Sequence, residues 1–351
     1  MPLRATLLPI ALLALAASSC GAQGVDKAGG TKPQKPLVLT LASHDDDETA
    51  YAPFAAAVKR LSGGAMQIRV ETGWEGTQDA REIAYERELV SDVRAGRAEL
   101  TIVGTRVWDT LGVTAFQAPL APFLVDSLAL ERRALQLPFA ARALAQVRKP
   151  GVVGIAVLPG RMRRPFGLTR PLVGPRDYRG ARIAIRPSVV ATESLGALGA
   201  TAAGYIPGEL GGFDGAELDP FTITSEEFDL GARGLTRNVV LWPKPWTIVM
   251  NEKAFARLTP EQRQILFAAG RAAFVPQLRQ VARDQRSAIS ILCTDKTVPL
   301  TTASASDVAT LRRAVQPVYR RIERSAFTRR WIAAVTRIKA STSPDVVSCA
   351  R

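Results

Sequence analysis

Histidine occurs once in this 351-residue chain, as His44, and cysteine only three times. A lone histidine excludes a histidine-rich metal centre and leaves a Ser-His-Asp triad wholly dependent on His44. There is no G-x-S-x-G elbow, no phosphate-binding P-loop and no zinc spacing, so neither a metal, a cofactor nor an enzymatic activity is expected. Negative charge is also scarce, with 32 Asp and Glu against 46 Lys and Arg for a formal charge of +14. Such an excess would suit nucleic acid or anionic lipid. The arginines are spread over the whole chain without RNP-type aromatics, however, and nucleic acid is not expected as a partner.

The N-terminus holds an early cation, Arg4, then the apolar run LLPIALLALAA and small residues before Cys20. That run is too short to span a bilayer and reads as an export signal over residues 1–19. AASSC resembles a bacterial lipobox with Ala17 in place of the usual leucine, so Cys20 is read as a lipidation site, with simple cleavage as the alternative. The Gly-, Lys- and Pro-rich stretch that follows, to residue 36, reads as a flexible tether. The remaining cysteines, Cys293 and Cys349, form an even pair in an exported chain, which suggests one disulfide pinning the C-terminal tail to the end of a long helix.

Apolar periodicity predicts alternating strands and helices. LVLTLAS and MQIRVET are strands around a helix carrying Phe54, Val58 and Leu61, a second helix runs from about Asp79 to Ala95, and ELTIVGT follows as a strand. GVVGIAVLP, ARIAIRP and NVVLWP continue the pattern after about Gly151, as a second α/β domain would. Thr259, Pro260 and Gln262 make a capping-box helix start, from which helical sequence runs to about Ile291 with a kink predicted at Pro276. A last helix is predicted from Ser306 to Lys339, arginine-rich and containing Pro317.

Several clusters invite a functional reading. SHDDDE places His44 beside Asp45, Asp46, Asp47 and Glu48, but the unbroken run lacks the spacing of a calcium loop and suits a helix N-terminus. Arg163 and Arg164, in RMRRPF, are expected where a strand ends, either at a cleft or on a solvated turn. Trp242 and Trp246 flank two prolines and would either stack on a ligand or pack inside. PGELGGFDGAELDP reads by itself only as a turn.

The order of segments from Leu37 to about Ala340 resembles the solute-binding proteins of TRAP transporters, the dicarboxylate-binding type. AAAVKRLSGGAMQIRVETG looks like that family's "helix, S-G-G, strand" opening, and QAPLAPFLVDS like its Leu-Pro-Phe-Leu turn. RPLVGPRDYRGARIAIRP with LGALGA, then FDGAELDP, then WTIVMNEKAFARLTPEQRQILFAA, is similar to its central and later segments.

The resemblance implies a periplasmic-binding-protein-like α/β fold: two α/β lobes joined by hinge strands, with a long kinked helix spanning them. One lobe would comprise residues 37–158 and 247–290, the other 159–246 and 291–345 with the basic C-terminal helix. It implies capture of a small organic acid, carboxylate or zwitterion, and its delivery to a TRAP-type membrane permease. The alternative is a cell-surface lipoprotein that uses this fold for sensing or on an anionic surface. In the family a strand-borne arginine pairs with the ligand carboxylate, as a guanidinium fork can. Here that position is Ala184, and Arg186, two residues on and on the same face, is the displaced candidate. The helper arginine falls at Arg164, with Arg163 as the alternative, and the ligand-contacting asparagine is replaced by Asp219, which would repel a carboxylate unless protonated or turned away. GELGGFDG is shorter than its counterpart, so one pocket wall is expected to be remodelled and the ligand need not be an ordinary dicarboxylate.

Overall fold

The computed structural model describes residues 35–44, 50–74 and 85–349. The export signal, Cys20 and the tether to residue 34 lie outside the described residues, as do Asp45 to Glu48 and the start of the helix expected from Asp79.

Ten strands follow in chain order: β1 Leu37–Ala42, β2 Met66–Glu71, β3 Leu100–Gly104, β4 Val152–Gly167, β5 Arg182–Ile185, β6 Thr201–Gly204, β7 Gly215–Leu218, β8 Gly234–Thr236, β9 Trp242–Asn251 and β10 Leu300–Thr301. They make one continuous sheet in the order β2-β1-β3-β9-β4-β7-β5-β6, with β8 pairing both β4 and β10. β1, β2 and β3 are parallel, as are β5, β6 and β7. Between these groups β9 and β4 run antiparallel to each other.

β4 is longer than the sequence pattern predicts. GVVGIAVLP reads as a strand that stops at Pro159, yet β4 spans 16 residues, to Gly167. The proline is accommodated because the β4–β9 register shifts between Leu158 and Arg161, a bulge where no ladder N–H is needed. Gly160 sits in that bulge, and a Cβ there would lie 1.5 Å from the Lys244 carbonyl oxygen. Arg163 and Arg164 therefore stand inside a strand, not at its end. PGELGGFDGAELDP is likewise not all turn, since its GAEL is the fully buried β7.

The long helix, Pro260–Asp295, starts at the predicted capping box: Gln262 N–H donates to Thr259 Oγ1 at 3.2 Å and Thr259 N–H to Gln262 Oε1 at 2.9 Å. Its 36 residues correspond to about 54 Å at 1.5 Å per residue. It continues through Pro276, and Gly270 lets it lie against β4, where a Cβ would approach Ala156 Cβ to 2.7 Å. The predicted last helix is instead three, Ala305–Ala314, Gln316–Ile322 and Ala326–Lys339. Pro317 opens the second of these, where its missing N–H costs nothing, and Ser325 caps the third by accepting from Thr328 N–H. The apolar interior forms around both ends of the sheet, with Trp108, Phe54, Phe166 and Trp331 fully buried.

Cys293, near the end of the long helix, forms a disulfide with Cys349 across 56 residues. Glu131 is buried under the bulge and its Oε1 accepts the Gly160 N–H at 2.9 Å. Burial pushes its carboxyl well above the ordinary 4.5; the Gly160 bond opposes that rise and Asp345 adds to it.

Two outcomes follow for stability. Cys293→Ser should lose about 4 kcal/mol in urea denaturation under non-reducing conditions, from the loop-closure entropy of a loop this long; a loss no larger than that of a surface serine would exclude the constraint. Because the folded-state Glu131 value is raised, that group's contribution is full below 4.5 and is lost as pH rises towards the folded value. Glu131→Gln should therefore melt above the parent at pH 7, with the gap closing as pH falls below the ordinary glutamate range; a pH-independent gap would contradict a protonated Glu131.

Candidate functional site

The β4–β9 ladder places Arg161 opposite Lys244, Met162 opposite Pro243 and Arg163 opposite Trp242. Side chains alternate along a strand, so Arg161 and Arg163 share one face while Arg164 takes the other. On the far side of β4, β7 pairs Pro165 with Glu217, which puts Glu217, and Asp219 two residues later, on the arginine face.

Arg163 is 2% exposed; its Nη1 lies 3.3 Å from Asp219 Oδ2 and its Nε 3.8 Å from Glu217 Oε2. Burial disfavours its charge, but Asp219 and Glu217 more than compensate and hold the guanidinium above its ordinary value. Asp219, 1% exposed, caps the short helix Pro220–Ser225, accepting from Thr222 N–H at 3.1 Å and Thr222 Oγ1 at 2.9 Å. Burial alone would raise its carboxyl; Arg163, then Arg161, then the Thr222 N–H bring it below the ordinary aspartate value. Asp219 is therefore an ionised partner of arginine, not a protonated acid.

Arg161 joins the same cluster. Its guanidinium lies 3.8 Å from the Phe221 ring centroid and 5.7 Å from that of Trp246, and its Nη2 is 3.3 Å from Asp284 Oδ2 on the long helix. Arg186 follows directly on β5 and is 4% exposed. Its guanidinium lies over Tyr205 at 4.3 Å and Tyr85 at 5.0 Å, Nη1 donates to the Tyr205 carbonyl at 3.4 Å, and its backbone N–H donates to Glu217 Oε1 at 3.3 Å. Trp242 Nε1 donates to Glu217 Oε2 at 3.3 Å, and Lys244 Nζ lies 5.6 Å from the Trp246 ring. Ala184, by contrast, is packed in the apolar cluster with Phe166 and Ala216.

Of the candidate residues, Arg163, Arg186, Asp219, Trp242 and Trp246 meet in this one cluster. Arg164 does not. From the opposite face it donates to the carbonyls of Arg237 at 2.8 Å, Val239 at 3.3 Å and Asp345 at 2.9 Å, tying the C-terminal segment to β4. Burial lowers it to about 10, opposed by Asp345 and Asp126. His44 stacks on Tyr85 with ring centroids 4.5 Å apart.

Three members went unread in the sequence: Arg161, Lys244 and Glu217. The signal for Arg161 was the two-residue spacing in GRMRRP, which pairs Arg161 with Arg163 once the strand is allowed to continue past Pro159. Glu217 stands at the same spacing before Asp219. For Lys244 only the β4–β9 register provides the neighbour.

The cluster is closed over, with Arg161, Arg163, Arg186 and Lys244 all below 9% exposure, and a cavity of about 890 Å³ lies elsewhere, beside Leu144, Phe255, Phe267 and Phe274. Guanidinium forks on paired strands can orient an anion by directed hydrogen bonds, and they cannot do so for a cation.

Comparison with known proteins bears on the fold and the family. The chain is 25% identical over 298 residues, 81% of its length and 90% of the relative's, to an uncharacterized protein, YiiZ, of Salmonella typhimurium. A TRAP periplasmic solute-binding protein from Ochrobactrum anthropi superposes with a TM-score of 0.75 at 20% identity, covering 88% of this chain and 97% of that one. The sugar acid binding protein DctPAm from Advenella mimigardefordensis, in complex with galactonate, gives 0.75 at 21% identity over 88% and 99%. A Shewanella oneidensis TRAP periplasmic solute-binding protein with bound succinate gives 0.75 at 15% identity over 86% and 99%. These likenesses establish the fold, and the family model matches residues 39–325. The chain belongs to DctP, the bacterial extracellular solute-binding protein family 7.

Proposed function

We propose that this protein captures a small organic acid, a carboxylate or a zwitterion, outside the cytoplasm and passes it to a TRAP-type membrane permease without chemical change. The observation that carries this reading is the buried trio of Arg161 and Arg163 on β4 and Arg186 after β5, the last two sharing Glu217. Relatives of the same fold hold galactonate, succinate and β-D-glucuronate.

Arg186 is the residue assigned to the ligand carboxylate, with the Tyr85 and Tyr205 rings around it and Trp246 beside Arg161. Arg163 is held by Asp219 and Glu217 and acts as the fixed second cation. The ionised Asp219 leaves room for a ligand that also carries hydroxyl or amino groups, whose donors it would accept. Arg164 is assigned a tethering role, and Cys20 an acyl anchor, with residues 20–36 as the tether.

The lobe division at 37–158 with 247–290 and 159–246 with 291–345 places the bulge at Gly160 on the boundary. Across it, Asp109 accepts from Ser188 Oγ, Val189 N–H and Val190 N–H, each at 3.0 Å, and so caps a helix of the other lobe. Together with Tyr85 over Arg186, that contact would hold the lobes closed.

Titration calorimetry with succinate, galactonate, glucuronate and an amino-acid panel tests the reading; no binding by any of them would overturn it. For the ligand that binds, Arg186→Ala should cost about 2–5 kcal/mol, as expected when one partner of a buried charged pair is removed. Arg164→Ala should leave affinity unchanged and lower the melting temperature; equal effects at the two positions would remove the assignment. Asp109→Ala should enlarge the radius of gyration of the unliganded protein in X-ray scattering and weaken binding, since closure would then lack its cross-lobe cap. An unchanged radius together with unchanged affinity would show that the cap is only local.

A further inference from the structure

The solvent-facing side of the C-terminal helices is basic in a way that solute capture does not need. Helix Ala326–Lys339 buries Thr328, Trp331, Ile332 and Val335. Its exposed positions are Ala326, Arg329, Arg330, Ala333, Thr336 and Arg337. It packs beside helix Leu128–Leu135: Arg133 Nη1 donates to Ser341 Oγ at 2.7 Å and to the Ile338 carbonyl at 3.3 Å. Phe139, at the start of helix Pro138–Ala145, stacks on Trp331 at 6.0 Å and meets Phe327 edge-on at 5.6 Å. On the two helices packed beside helix Ala326–Lys339, Arg132 and Arg142 are exposed as well.

Surface helices ordinarily intersperse acids with bases at i, i+4. Among the described residues, the only acid in these three helices is Glu131, and it is 1% exposed. The exposed charge of these three helices is therefore of one sign, which attracts an external anion.

We propose that this flank docks on an anionic lipid surface, its guanidinium groups taking phosphodiester headgroups. Phosphate matches the guanidinium fork bidentately. A protein partner fits less well: the exposed positions between the arginines of helix Ala326–Lys339 are Ala and Thr, with no aromatic or large apolar side chain to anchor a hot spot. A flat, laterally mobile layer of headgroups requires no such anchor. Docking would set this flank against the membrane independently of any ligand between the lobes, so the inference goes beyond the capture reading and does not rest on it.

The test is vesicle sedimentation of the full chain carrying Cys20→Ala, so that no acyl group contributes. Binding is expected to phosphatidylglycerol vesicles and not to phosphatidylcholine vesicles. It should be lost at high salt, because the screening length falls from about 10 Å at 0.1 M to about 3 Å at 1 M. Arg329→Ala, Arg330→Ala and Arg337→Ala together should weaken it about a hundredfold, from roughly 1 kcal/mol per basic side chain near such a surface. Organic-acid affinity in the same variant should be unchanged, which separates this inference from the capture reading. Equal binding to the two lipids, a triple variant that binds as tightly as its parent, or tighter binding to duplex DNA at equal phosphate concentration would each overturn it.

Discussion

Everything near the site depends on how closely β4 and β9 approach each other. The two strands pair antiparallel from Val152–Asn251 to Arg163–Trp242, and among the described residues they join the β2-β1-β3 group to the β7-β5-β6 group in the sheet. At the midpoint the ladder slips, and Gly160 is the residue that permits it, since any side chain there would collide with the Lys244 backbone. The slip leaves the Gly160 N–H without a strand partner, and Glu131 accepts it from below. One backbone approach thus explains a glycine, a buried acid and the point at which the strand turns its arginine face towards β7.

Burying arginines is costly unless each has acceptors, and the structure meets that cost in two different ways on the two faces of one strand. Arg164 donates both its Nη groups to backbone carbonyls, which have no net charge and fix it as a structural strut. Arg163 is satisfied by carboxylates whose own geometry is fixed, Asp219 by the helix it caps and Glu217 by Trp242 and the Arg186 backbone. A cation held in this manner has a fixed position. Adjacent residues of identical type therefore have unlike roles, decided by strand alternation alone.

The local signals in the chain translated well. The capping box at Thr259 and Gln262 and the strands at LVLTLAS, MQIRVET and ELTIVGT follow from nearest-neighbour chemistry and periodicity, the Cys293–Cys349 disulfide from an even cysteine pair in an exported chain, and the family resemblance from the order of short segments. The misread elements share one cause. Pro159 marks the expected end of the strand in β4, where a bulge absorbs it, and Pro317 falls inside the single helix expected from Ser306 to Lys339, where it instead opens a separate helix. In both places the fate of a missing N–H depends on the register of another strand or the end of another helix, which local sequence does not contain.

By itself the sequence determined the fold class, the family and the reservoir of charge, because these are sums over local preferences and segment order. It also marked Arg163, Arg186, Asp219, Trp242 and Trp246 as candidates. Only the tertiary structure decided which of them meet. The β4–β9 and β4–β7 registers brought Arg161, Lys244 and Glu217 into the cluster and turned Arg164 out of it; Arg163 and Arg161 hold Asp219 below its ordinary value, and the helix beginning at Pro220, which it caps, adds to that. The physical reason is that a side chain's face is set by its own strand, whereas its partner is set by a ladder between residues some 50 to 80 positions apart, such as Arg164 with Leu218 and Arg161 with Lys244.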